Sequence, residues 1–171
     1  DIYIAEDGLP RNDGALSLFN PVHISFLLSN YSALTQNNWE ELQGDIKWTL
    51  LDLETLADAA LDPLSHDILT LKVDGVENAK ISTYIFEKYE KHLSEQRIST
   101  IWRNKIPSAI AAAATKQYLE WYYTNVERGT WKKCGRCGEV KLAHPLFFSR
   151  NNSSKSGYYS ICKECRSCRK K

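Results

Sequence analysis

Methionine is absent from this chain of 171 residues, and histidine occurs only four times. The chain starts at Asp1, so either an initiating residue is lost or the sequence is a piece of a longer one. Cysteine is missing from the first 133 residues; all five lie between 134 and 168. An odd number crowded into one end excludes a disulfide scaffold and points to metal binding in a reducing compartment. The expected location is therefore intracellular. Long apolar runs are lacking too. The best, residues 24–28 and 109–114, fall well below the roughly 18 apolar residues of a membrane span. No phosphate-cradling glycine loop and no nucleophile elbow is present. His23, His66 and His92 are scattered, with no nucleophile or carboxylate partner evident, so no enzyme is expected.

Basic residues are scarce at the start and acidic ones at the end. Residues 1–77 hold three basic against fourteen acidic side chains, a net of −11. Residues 78–128 carry a net of +3 and residues 129–171 a net of +9. The whole chain nets only +1. A positive end attracts polyanions. The acidic end offers a docking face for a basic partner, or simply attracts the basic end.

Residues 1–20 lack periodicity and read as a flexible arm. From there to residue 128 the pattern is helical throughout. Asn20 caps a first helix with Pro21 in its first position. Asn38 caps a second, whose apolar residues include Trp39, Leu42, Ile46, Leu50, Leu53, Leu56 and Ala60, with Gly44 weakening its middle. Trp48, Leu51 and Leu56 read as core. Asp62-Pro63 ends that helix, Ser65 begins a short one over 65–72, and Asn78 caps the next, over 79–90. Ser94 caps a helix over 95–105 with Ile98, Ile101 and Trp102 facing in. Pro107 marks a boundary, and 108–125 forms the last long helix. Gly129-Thr130 marks a linker to residues 131–171, too few to hold a core without a staple.

The staple is the pair Cys134-Gly-Arg-Cys137 and Cys162-Lys-Glu-Cys165. Each C-x-x-C turn aims two thiolates at one point, and two such turns fit one tetrahedral zinc ion. Four thiolates close the shell, so the zinc is structural. Phe147-Phe148, the turn-prone segment 151–157 and Tyr158-Tyr159 supply a small core between the pairs. Cys168 and His144 remain as alternative ligands. The segment from Cys134 to Arg166 resembles zinc-binding modules of bacteriophage proteins, some beside nucleases of the recombination-endonuclease-VII kind. In those enzymes the module joins an Asp-His and Asn catalytic set. Here Ala143 precedes His144, so the resemblance implies a zinc fold and not nuclease activity.

The segment containing Leu61, Pro63, Ser65, Ile68, Leu71, Gly75, Asn78, Ile81, Ser94, Arg97, Ile98, Ile101, Trp102 and Arg103 resembles the helix-turn-helix of the fourth region of bacterial sigma factors. Phage late-gene regulators built on that unit are similar. The thirteen residues from Ile81 to Ser94 exceed the family's usual supporting helix and turn. The resemblance implies a recognition helix at 95–105 that enters the major groove of double-stranded DNA. Gln96, Arg97, Ser99, Thr100, Arg103 and Asn104 then face base edges, while Ser94 and Lys105 touch phosphate. A plain helical bundle with a solvated polar face is the simpler alternative.

The expected protein is thus mainly α: an arm at 1–20, a helical domain at 21–128 with the helix-turn-helix at about 65–105, and a zinc ribbon or finger at 129–171. Arg166, Arg169, Lys170 and Lys171 of its basic tail add phosphate contacts. The expected role is a phage-type DNA-binding transcription regulator, with acidic N-terminal helices free to contact RNA polymerase. Rival readings are a zinc-module nuclease or its accessory, a phage DNA-packaging recognition subunit, and a protein-interaction module.

Overall fold

A computed structural model describes residues 1–14, 16–36 and 44–168. The chain is mainly helical, with small hairpins and a cysteine-rich C-terminal segment. It divides into two units, Asp1–Thr115 and Lys116–Lys171. No helix among the described residues is long and apolar enough to cross a membrane.

The first residues form a hairpin and not a loose arm. Strands β1 (Ile2–Ile4) and β2 (Pro10–Asn12) pair antiparallel, Tyr3 opposite Arg11. The turn closes with the Ala5 amide on the Leu9 carbonyl at 2.9 Å, and Gly8 takes φ 76° within it. Too few residues alternate for such a short ladder to show in hydropathy.

Helix α1 (Pro21–Gln36) begins as expected, with Asn20 Oδ1 accepting from the Val22 amide at 2.9 Å. Helix α2 (Asp45–Ala60) follows Gly44, which at φ 63° stands before the helix instead of within it. That left-handed conformation suits glycine and interrupts a helix. Asn38, Trp39 and Leu42 lie outside the described residues. Leu50, Leu53, Leu56 and Ala57 are buried, whereas Ile46, Trp48 and Leu51 face solvent. Leu56 is core as expected, but Trp48 and Leu51 are not: the inward face runs through Leu50, Leu53, Leu56 and Ala57, and Trp48 falls on the opposite side.

Helix α3 (Pro63–Val73) starts two residues earlier than expected. Asp62 is its N-cap, accepting from the Ser65 amide at 2.9 Å, with Pro63 in the first turn. Pro there loses only an amide that the helix leaves unpaired anyway. Helix α4 (Asn78–Tyr89) has Glu77, not Asn78, at its cap position. The Asn78 side chain is used across helices: it accepts from Lys72 Nζ at 3.0 Å and donates to Ser99 Oγ at 2.8 Å.

Ser94 caps helix α5 (Glu95–Thr100), accepting from the Arg97 amide at 3.1 Å. No break follows. A π turn over Ile101–Lys105 runs directly into helix α6 (Ile106–Asn125). Pro107 is thus inside a continuous helix, which corrects the expected boundary. The reason is visible in the buried isoleucines. Ile98, Ile101, Ile106 and Ile110 are all core residues, separated by three, five and four positions. A five-residue step stays on one face only if the helix widens by one residue, and the Ile106 amide indeed bonds the Ile101 carbonyl, five back. The widened turn also tolerates the amide that Pro107 lacks. These isoleucines join Ile24, Leu27, Leu53, Ile68, Ile81 and Ile85 in one core.

The second unit takes the C-terminal half of α6, so the division falls inside that helix and not at Gly129. Leu119 is fully buried, and the Gly129 amide bonds the Tyr123 carbonyl at 3.1 Å. Gly129 sits so close to Tyr123 and Leu142 that a Cβ there would come within 2.8 Å of both. Strands β3 (Trp131–Lys133) and β4 (Val140–Leu142) pair antiparallel, and α7 (Lys163–Ser167) closes the described chain.

Candidate metal centre and recognition helix

The β3–β4 hairpin carries the first cysteine pair at its tip. The Cys134 amide bonds the Glu139 carbonyl at 2.8 Å and the Gly138 amide bonds the Cys134 carbonyl at 3.0 Å. Gly138 takes φ 75°, so glycine is needed to close this turn. The second pair straddles the start of α7: Cys162 is its N-cap residue and Cys165 lies in the helix. A 2.8 Å bond from the Gly135 amide to the Ser160 carbonyl joins the two loops.

Folding brings Cys134, Cys137, Cys162 and Cys165 together, with all four sulfurs within 4.8 Å of one another. A tetrahedral ion with metal–sulfur bonds of about 2.3 Å separates its sulfurs by about 3.8 Å, so one ion fits with little movement. None of the five cysteines is in a disulfide. Cys168 is exposed at the end of α7 and is not in the cluster, nor is His144. His144 Nδ1 accepts the Leu146 amide at 3.1 Å, which turns that nitrogen to the local loop.

The thiols differ in acidity. Amide hydrogen bonds from Cys162, Cys137 and Arg136 outweigh burial and bring the Cys134 thiol down to about 6. The hydrogen bond to the Cys162 sulfur, then burial and the other sulfurs, push Cys165 up to about 12. Four thiolates so close repel one another, and only a cation lets all four ionise near neutral pH. The donor set therefore suits a metal ion.

Around the centre, Phe147 and Phe148 are buried, and their amides both bond the His144 carbonyl at 3.0 Å. The segment 151–157 is a turn, closed by the Asn151 amide on the Gly157 carbonyl at 2.8 Å. Tyr159 is not part of the small core: it is exposed, with the Arg166 guanidinium 4.1 Å from its ring centre. Lys141, almost fully buried, sits between Glu164 and Glu139, the latter at 3.2 Å. This ties β4 to α7, and sequence spacing carried no sign of it.

The expected DNA-facing residues fall into two groups. Gln96, Arg97, Arg103 and Asn104 are solvent-exposed on α5 and the π turn. Thr100 is exposed, but its hydroxyl bonds the Gln96 carbonyl at 3.0 Å. Ser94, Ser99 and Lys105 have internal duties. Ser94 caps α5, Ser99 accepts from Asn78, and Lys105 Nζ lies 2.8 Å from Asp62 Oδ2 and 3.0 Å from Ser65 Oγ. Arg169, Lys170 and Lys171 lie outside the described residues.

The histidines are not all isolated. His66 Nε2 lies 2.7 Å from Asp58 Oδ1, a carboxylate partner that a separation of eight positions and a helix boundary hide from sequence reading. His23 Nδ1 accepts the Ser17 amide at 3.1 Å, and His92 stacks on Phe86 at 4.3 Å.

No family model matches the chain, and neither a curated protein nor a solved structure matches it.

Proposed function

We propose that this protein is a DNA-binding transcription regulator of the phage type, with zinc in its four-cysteine centre. The observation that carries the reading is the polar strip of Gln96, Arg97, Thr100, Arg103 and Asn104. It lies exposed on a helix whose other side is anchored by buried Ile98 and Ile101. This helix follows α3, a Gly75-containing turn and α4, an element order that supports the helix-turn-helix reading. Arg and Gln at such positions offer bidentate pairing to guanine and adenine edges.

Zinc is the reading for the metal because four thiolates select a soft or borderline cation with tetrahedral preference. A bound zinc would staple a unit that buries few large side chains. The basic surface of that unit, Arg166 included, adds sequence-independent phosphate attraction. The acidic α2, with Trp48 exposed on the side that also carries Asp45 and Asp52, is the face offered to a protein partner such as RNA polymerase.

The test is a gel titration of mixed duplex fragments with zinc-loaded protein in the presence of magnesium. Intact DNA should shift, and the shift should weaken steeply with salt. Arg97→Ala should relax preference among sequences once a site is found, while Arg166→Ala should weaken all sequences about equally. No shift at low salt, or cleavage of the fragments, overturns the proposal.

A further inference from the structure

Between α1, α2 and α3 lies an open cavity of about 270 Å³. Its floor is apolar: Leu28, Leu53, Ala57, Leu69 and Val73. Leu28, Leu53 and Ala57 belong to the buried core, so the floor is rigid. Its rim is acidic. Glu54, Asp58 and Asp74 all line it, and the one basic side chain that does so among the described residues is His66.

The rim groups are held in place from the sides. Glu54 accepts from the Tyr31 hydroxyl, and Asp58 is paired with His66 Nε2 at 2.7 Å. Each carboxylate still has lone pairs to spare, since one hydrogen bond uses only part of its accepting capacity. Asp58 remains 73% exposed despite its partner. Helix bundles commonly build small-molecule sites between their helices from such an apolar floor and a few convergent polar groups.

We propose that this cavity binds a small organic cation: an ammonium head at the Glu54–Asp58 edge, one turn apart on α2, and a short alkyl or aromatic body on the Leu53–Leu69–Val73 floor. Charge complementarity selects the head, because three carboxylates against one basic side chain, His66, itself paired with Asp58, repel anions and favour a monocation. Volume limits the enclosed ligand to about nine non-hydrogen atoms, at a share of about 30 Å³ each, roughly that of a water molecule. The site is separate from the cysteine centre and from the DNA-facing strip, and does not depend on either.

The probes are benzylammonium, its uncharged analogue benzyl alcohol, and benzoate, each titrated into the full zinc-loaded chain. Methyl resonances of Leu53, Leu69 and Val73 report occupancy by nuclear magnetic resonance. Benzylammonium should shift them saturably, and benzoate should not. Glu54→Gln with Asp58→Asn, both exposed and outside the core, should weaken benzylammonium at least tenfold while leaving the unperturbed spectrum folded. Leu69→Phe, which fills the floor from a half-buried position, should abolish binding. Equal binding of benzyl alcohol and benzylammonium, or no loss in the double variant, overturns the cation assignment. Absence of any saturable shift overturns the site.

Discussion

The ammonium of Lys105 lies 2.8 Å from the carboxylate of Asp62, joining the π turn to the first turn of α3. Asp62 therefore does three things at once. It caps α3 through the Ser65 amide, accepts the Ser65 hydroxyl and holds Lys105. The lysine is consequently engaged within the fold, where a phosphate-contacting side chain would be free.

Burial works to raise the Asp62 carboxyl, but the hydrogen bonds from Lys105 and Ser65 outweigh it and hold it at about 2. A depressed carboxyl stabilises the fold above its unfolded value of about 3.9, and that contribution is lost as pH falls through about 2. In a carbon-detected titration the Asp62 midpoint should lie near 2. In Lys105→Met it should move up towards the ordinary carboxylate range. Because both groups are about half exposed, the stability cost at neutral pH should stay below about 1 kcal/mol. An unmoved midpoint would show that Ser65 alone sets it.

Metal removal should separate the two units. A chelator should unfold residues 129–168, whose buried side chains are few, while the isoleucine core of the first unit stays folded. Limited proteolysis checks this: cuts should appear in the C-terminal segment and not in α3 or α4. Cys134→Ser and Cys162→Ser should each lose the metal, read by native mass spectrometry. Cys168→Ser should retain it.

Asn78 and Ser99 link α4 to α5 at 2.8 Å. Ser99→Ala should cost about 1 kcal/mol in thermal unfolding, the usual net worth of such a bond. It should leave DNA affinity within twofold of the parent. A large loss of affinity with unchanged stability would move Ser99 to the DNA-facing group.

The π turn exists to place Ile101 and Ile106 on one face. Pro107→Ala restores an amide but leaves those two side chains where they are, so the π turn should persist and stability should change little. Deleting Asn104 brings the two isoleucines that flank the turn from five positions apart to four, a step that a regular α-helix keeps on one face, so the π turn should disappear while Ile98 and Ile101 stay buried. Nuclear magnetic resonance of the backbone checks both: an Ile106 amide that no longer bonds the Ile101 carbonyl in Pro107→Ala would show that proline, not packing, sets the turn.

What the sequence determined by itself was local. Asn20 and Ser94 are legible as caps because a capping side chain bonds an amide two or three residues away. The cysteine pairs are legible because each needs only a tight turn, and the turn residues Gly135 and Gly138 lie beside them. The helical class and most of the buried stripe follow from periodicity. Tertiary structure decided whatever joins distant positions. It turned residues 1–12 into a hairpin and took Asn78 from capping to bridging α4 and α5. It committed Lys105 to Asp62, paired His66 with Asp58 and left Trp48 in solvent. It also carried one helix through Pro107. Each of these rests on a partner in another helix or strand, and the free energy of such a contact is not encoded in the spacing of neighbours along the chain.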